Sequence, residues 1–141
     1  PAPSTDGVVK QATVARGVDG DTVKLTTPIF GATNVRFLSI DTPETVKPDT
    51  PVQCFGPRAH RFNRRLVARR RVRLVFGEER RDVYGRLLAY VYLDRRMVNA
   101  ELARRGFART LTIPPNDRFA SRFKRLQTKA ARAGRGLWGA C

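Results

Sequence analysis

Residues 8–40 place the strongest limit on the fold. They are rich in Val, Thr, Leu and Phe, and tight turn signals interrupt them. The pattern predicts strands over residues 8–16, 21–27 and 33–40. Asp19-Gly20 is placed to close the first hairpin and Gly31 the second. In the third strand Val35, Phe37 and Ser39 alternate with Arg36, Leu38 and Ile40. Arg36 therefore leaves the strand on the same face as two core-like residues, an awkward position for an idle arginine.

Residues 43–53 hold Pro43, Pro48 and Pro51 among polar neighbours and read as a loop. Gly56-Pro57 opens a helix, since proline is tolerated at a first helical position. Phe55, Ala59, Phe62 and Leu66 give that helix one buried stripe. Its other faces carry Arg58, Arg61, Arg64, Arg65, Arg69 and Arg70. Val72, Leu74 and Phe76 alternate as a strand, residues 77–85 read as a charged loop, and residues 86–93 as another strand. A short helix over 97–105 is stopped by Gly106. After an extended stretch over 107–117, Asn116 or Asp117 can cap a helix whose apolar face is Phe119, Phe123, Leu126 and Ala130. Gly134 and Gly136 end it, and Trp138 is expected to pack the tail down.

A chain of 141 residues suits one domain with a real core. The expected organisation is a flexible segment over 1–7 and a single domain over 8–141. The fold class is α+β, mainly β: five strands and three helices in the order β-β-β-α-β-β-α-α suggest a small closed barrel of the OB type.

The charge is divided. The net formal charge is +16, yet residues 1–50 hold six acids (Asp6, Asp19, Asp21, Asp41, Glu44, Asp49) against five bases, leaving +17 for residues 51–141. So basic a chain calls for an acidic partner, nucleic acid first, then an anionic membrane or sulfated glycan. The alternative is a solvated surface with no specific partner. A polyanion-binding protein has no electrostatic reason to gather carboxylates where the polyanion lies, unless they hold a divalent cation.

Asp21 lies just past a hairpin turn, and Asp41 at the end of the third strand, where Thr42-Pro43 turns the chain. Adjacent strands can bring both to one mouth of the barrel. Two carboxylates, a backbone carbonyl and waters suit Ca²⁺, and Mg²⁺ also accepts few protein ligands. There is no Cys/His set for zinc, and His60, the single histidine, reads as a solvated or packing residue. Taken singly, Asp-Gly and Asp-Thr-Pro-Glu are ordinary turn chemistry; with Arg36 and Gly85-Arg86 they gain meaning. Phosphodiester hydrolysis needs a base for water, met by Glu44. It also needs guanidiniums for the phosphate oxygens, met by Arg36 and Arg86, and it profits from a metal.

Val18–Leu25, Arg36–Glu44, Asp82–Tyr90 and Met97-Val98-Asn99 resemble the staphylococcal nuclease (thermonuclease) family, as do Gly106-Phe107-Ala108 and Gly136-Leu137-Trp138. The resemblance covers about residues 8–139. It implies an OB-fold barrel with three helices and a Ca²⁺-dependent nuclease that cleaves DNA and RNA to leave 3′-phosphate ends. By the same resemblance Asp21, Asp41 and the Thr42 carbonyl bind Ca²⁺, with Asp19 behind them. Glu44 is the general base, Arg36 and Arg86 grip the phosphate, and Tyr84 lies beside the nucleotide. Val83 departs from the family pattern, standing where a lysine that helps bind a terminal phosphate is expected. Arg109–Ile113 lacks the second tyrosine of the nucleotide pocket.

Cys54 and Cys141 lack metal spacing. They are either a disulfide tying tail to body, in an oxidising compartment, or two free thiols; a Cys-containing branch of the family favours the bond. A start at Pro1 without methionine suits a mature product cut from a precursor, or a trimmed chain. The expectation is a secreted or periplasmic monomer with no membrane span. A second class is a binding module on the same barrel with catalysis lost. A third, a membrane- or glycan-binding cationic protein, has no use for Asp21, Asp41 and Glu44 together.

Overall fold

The computed structural model describes residues 3–45 and 51–141, so part of the expected 43–53 loop, including Pro48, lies outside the described residues. The strands are β1 (Val9–Asp19), β2 (Thr22–Ile29), β3 (Ala32–Phe37), β4 (Ser39–Asp41), β5 (Arg71–Arg81), β6 (Leu87–Leu93), β7 (Arg96–Met97) and β8 (Arg109–Leu111). The helices are α1 (Gly56–Val67), α2 (Val98–Arg104), α3 (Ala120–Arg132) and α4 (Leu137–Ala140).

Five strands close the barrel. Their order is β3-β2-β1-β5-β6, and a parallel pairing of β3 with β6, Val35 opposite Leu87, completes the circle. Both hairpins are two-residue turns: Asp19 pairs Thr22 across Gly20-Asp21, and Ile29 pairs Ala32 across Phe30-Gly31. Phe30 and Gly31 both have positive φ (48° and 76°), the geometry that matches strand twist in a tight hairpin. Inward residues Val14, Val23, Leu25, Val35, Phe37, Leu74, Phe76, Leu87 and Ala89 are all at most 2% exposed and form the core. Phe123 and Leu102 extend it under α3 and α2.

Several expectations need correction. The third strand does not run to residue 40. It breaks after Phe37, because Ser39 takes φ 67° and Leu38 turns its N–H to Ala89 O (3.0 Å). The new direction, β4, pairs with β8. Residues 77–81, read as loop from their charges, continue β5, and Arg81 pairs with Leu87 beyond a register shift. The fully buried line of α1 is Gly56, Ala59, Asn63 and Val67, with Phe55, Phe62 and Leu66 half-buried beside it. Neither Asn116 nor Asp117 caps α3 through its side chain. Asn116 instead bonds both backbone groups of Glu79, 3.0 Å each way. The tail adds a single-turn fourth helix, where Leu137 is the buried residue and Trp138, half-buried, stacks under the Arg109 guanidinium. Within the segment expected to fray, Thr5 is buried and donates its hydroxyl to Gly77 O (2.9 Å). Cys54 and Cys141 form a disulfide.

Candidate active site

The Gly20-Asp21 turn and the end of β4 meet at one end of the barrel. Gly20 permits the approach: a Cβ there would lie 2.6 Å from Thr42 Oγ1 and 2.8 Å from Thr42 Cβ. Asp21 is 5% exposed. Its Oδ1 accepts the Thr22 hydroxyl (3.0 Å) and its Oδ2 accepts the Thr42 N–H (3.1 Å), so one carboxylate fastens the turn to the segment after β4.

Arg36 stands between the two predicted metal-binding acids. Its Nη2 is 3.3 Å from Asp21 Oδ2 and 3.3 Å from Asp41 Oδ1. Its Nη1 donates to Phe37 O (2.6 Å) and Ile40 O (2.8 Å), two carbonyls that the break at Ser39 turns toward it. The arginine that looked misplaced on an apolar face holds the strand break together and joins the acids.

Asp19 is buried behind this group and accepts from Gly20 N–H (2.8 Å) and the Thr45 hydroxyl (2.6 Å). The charges are not balanced locally. Burial raises the Asp41 carboxyl above its ordinary value, Arg36 and Arg109 counter it, and Asp21 and Asp19 add to the rise. Glu44 is raised by burial, then by the Asp19 charge and a hydrogen bond to that carboxylate, then by Asp21 and Asp41. Carboxylates that raise one another are short of positive charge.

Arg86 and Tyr84 take a different position. Arg86 Nε pairs with Asp82 Oδ2 at 2.7 Å, and its N–H bonds Asp82 Oδ1 at 2.9 Å. The guanidinium lies 5.4 Å from the centre of the Tyr84 ring, itself 80% exposed. Both residues share with Arg36 the lining of a cavity of about 490 Å³, whose wall also includes Leu88, Leu111 and Ile113. Thus Asp19, Asp21, Asp41, Thr42, Glu44 and Arg36 converge, and Arg86 and Tyr84 line the adjoining cavity without contacting the acids. Val83, 93% exposed, is at the same rim.

Three supporting residues went unnoticed in the sequence. Gln53 clasps Glu44 in both directions: Glu44 N–H donates to Gln53 Oε1 (2.8 Å) and Gln53 N–H to Glu44 O (2.9 Å). Asn63, fully buried on α1, donates to Asp19 O (2.9 Å). Asp82 aims Arg86. Asn63 left a signal, being a polar residue four places after Ala59 on an apolar stripe. Gln53 left none.

The chemistry of the donors fits a hard divalent cation. All are oxygens, two carboxylates are raised by burial and then by neighbouring carboxylates, and the buried Thr42 hydroxyl oxygen has no hydrogen-bond partner. Among the described residues no three Asp, Glu, His or Cys side chains form a ready-made cage, so such an ion would take most of its shell from backbone and water.

A closed five-strand barrel in this strand order, with arginines and carboxylates gathered at its mouth, defines an OB-type domain. The family model described as staphylococcal nuclease homologue matches residues 34–140, and the chain belongs to that family. It is 40% identical over 135 residues to the thermonuclease of Staphylococcus intermedius, covering 96% of this chain and 80% of that protein. It is 39% identical to the thermonuclease of Staphylococcus hyicus, covering 89% of this chain and 73% of that one. The SPbeta prophage-derived endonuclease YokF of Bacillus subtilis is 41% identical over 128 residues, 89% of this chain but 43% of its own length.

Proposed function

We propose that this chain is a nuclease: a calcium-dependent phosphodiesterase that hydrolyses DNA and RNA with little sequence preference, as an endonuclease leaving 3′-phosphate ends. The observation that supports it most is the meeting of Asp21 and Asp41 on Arg36, with Glu44 and Asp19 crowding the same small volume. Relatives named thermonuclease and endonuclease lend it weight.

Asp21, Asp41 and the Thr42 carbonyl would hold Ca²⁺, which supplies Lewis-acid polarisation of the phosphate. Glu44 serves as general base, and its raised pKa brings it nearer to neutrality, where proton transfer is most efficient. Arg36, whose Nη1 stays on the Phe37 and Ile40 carbonyls, would exchange the Asp21 and Asp41 contacts of Nη2 for charge that develops on the phosphate oxygens. Arg86, pre-aimed by Asp82 and backed by Tyr84, exchanges a carboxylate for the phosphate at the cavity. Among the described residues no helix is long and apolar enough to cross a membrane. A secreted or periplasmic monomer completes the proposal, a setting that the Cys54–Cys141 bond favours.

Incubation with plasmid DNA and with RNA, in Ca²⁺ or in chelator, tests it. Cleavage of both polymers in Ca²⁺ and none in chelator is the expected result. A polymer that is retarded in a gel but never cut would replace this reading with a binding module of the same fold.

A further inference from the structure

The last stretch of the chain carries a second electrostatic feature, made of residues other than those of the acid site. Residues 118–141 contain seven cations (Arg118, Arg122, Lys124, Arg125, Lys129, Arg132, Arg135) and no Asp or Glu. Most lie on or beside α3. Among the described residues none of the seven pairs with a carboxylate, and the first turn of α3 has no acid. The inner side of the helix is ordinary: Phe123 and Ala130 are fully buried. Its outer side is an open groove lined by Ser121, Lys124, Arg125, Thr128, Lys129 and Arg132.

This arrangement costs stability. Arg125 and Lys129 are like charges four residues apart, and Lys129 and Arg132 three apart, so each pair repels on the helix surface. The helix dipole favours only Lys129 and Arg132, in the last turn. Around α2 the fold does neutralise clustered arginines: Glu101 alone binds Arg96, Arg104 and Arg105. A face left wholly unpaired is suited to an external polyanion. From Ser121 to Arg132 the groove advances 11 residues, about 16 Å along the helix, close to five steps of a B-DNA strand at about 3.4 Å each.

We infer that the outer face of α3 is a phosphate-backbone exosite, which holds a flanking stretch of the nucleic-acid polymer while another part is at the acid site. The inference rests on the nuclease reading for its occupant. The cations bind phosphates without reading bases, so the contribution is sequence-independent and salt-dependent.

The test is the variant carrying Lys124→Gln, Arg125→Gln, Lys129→Gln and Arg132→Gln, compared with the parent on a hydrolysis-resistant phosphorothioate DNA duplex several turns long. Affinity should fall by about tenfold or more at low salt, and the slope of log affinity against log salt should become shallower by about 2 to 4. A dinucleotide-sized phosphodiester, which has no flanking phosphates to offer, should be cleaved within about twofold of the parent rate. An unchanged salt slope overturns the exosite. So does loss of binding to phosphatidylserine vesicles with DNA binding intact, which would assign the face to a membrane surface. Failure of the parent to cleave plasmid DNA would count against the nuclease reading and leave the salt slope to judge the exosite.

Discussion

Two clusters in this molecule use the same pair of chemical groups in opposite proportion. On α2 one carboxylate, Glu101, serves three guanidiniums: Arg104 at 2.8 Å, Arg105 at 3.1 Å and Arg96 at 3.4 Å. At the barrel mouth one guanidinium, Arg36, serves Asp21 and Asp41, with Asp19 and Glu44 close enough to disturb the group. The proportions show in the protonation. Burial pushes the Glu101 carboxyl up, but hydrogen bonds from Arg104 and Arg105 and the charges of Arg104 and Arg96 bring it below its ordinary value. Asp41 and Glu44 lie above theirs. The first cluster is satisfied by its own residues and the second is not. Geometry alone would call both of them ion-pair networks; the sign of the charge surplus separates a brace from a site.

Removing Arg36 should break the comparison most severely. Arg36→Ala leaves Asp21 buried without its partner, which costs on the order of 3 kcal/mol, and it removes the guanidinium proposed to meet the reacting phosphate. Cleavage should fall by about 10²–10³ in kcat/KM, read on plasmid beside urea unfolding of the same variant. A loss below about tenfold would mean that Arg36 acts only as a brace, like the arginines around Glu101.

Glu44→Gln sharpens the contrast. Turnover should fall by about tenfold or more with DNA binding retained. Stability should not fall. A carboxyl whose folded pKa is raised contributes stability that is present below its ordinary value, 4.5 for Glu44 and 3.8 for Asp41, and lost as pH rises through the folded value. Urea midpoints measured upward from pH 4 should therefore decline less steeply in Glu44→Gln than in the parent. Unchanged turnover would remove Glu44 from the base role.

Glu101→Gln should have the smallest effect, about 1 kcal/mol of stability and no change in cleavage. Its pH sign is reversed: the Glu101 contribution is present above 4.5 and lost as pH falls through the depressed folded value. A cleavage defect in this variant would show that α2 is coupled to the mouth of the barrel.

Much of the acid site was legible because it is built from local grammar. Asp21 sits in a hairpin turn, Asp41 ends a strand, and Arg36 was conspicuous for its face. The barrel was legible through alternation and two turn signals. Other features arise from tertiary contact and leave no local trace. Ser39 takes positive φ with no glycine to announce it, because Arg36 and Ala89 bind the backbone on either side of the break. Residues 77–81 look like a loop by charge, yet they are held as strand by pairing with the start of β6. Asn116 reads as a helix cap and serves instead as a clamp on Glu79. Gln53 and Asp82 are side chains whose partners, Glu44 and Arg86, give them their meaning.

The bond between Cys54 and Cys141 spans a sequence separation of 87. It makes a covalent ring of α1, β5 to β8 and the last three helices, while β1 to β4 remain outside. Closing a loop of that size disfavours the unfolded chain by about 4.5 kcal/mol on the chain-entropy account. The ring has a second effect. Val83 and Tyr84, at 93% and 80% exposure, are open to proteases. A cut there would open the ring without releasing either piece, so a nicked molecule keeps Arg86 tethered to the half that carries α1, and only a reductant acting after the protease would let the two fragments part.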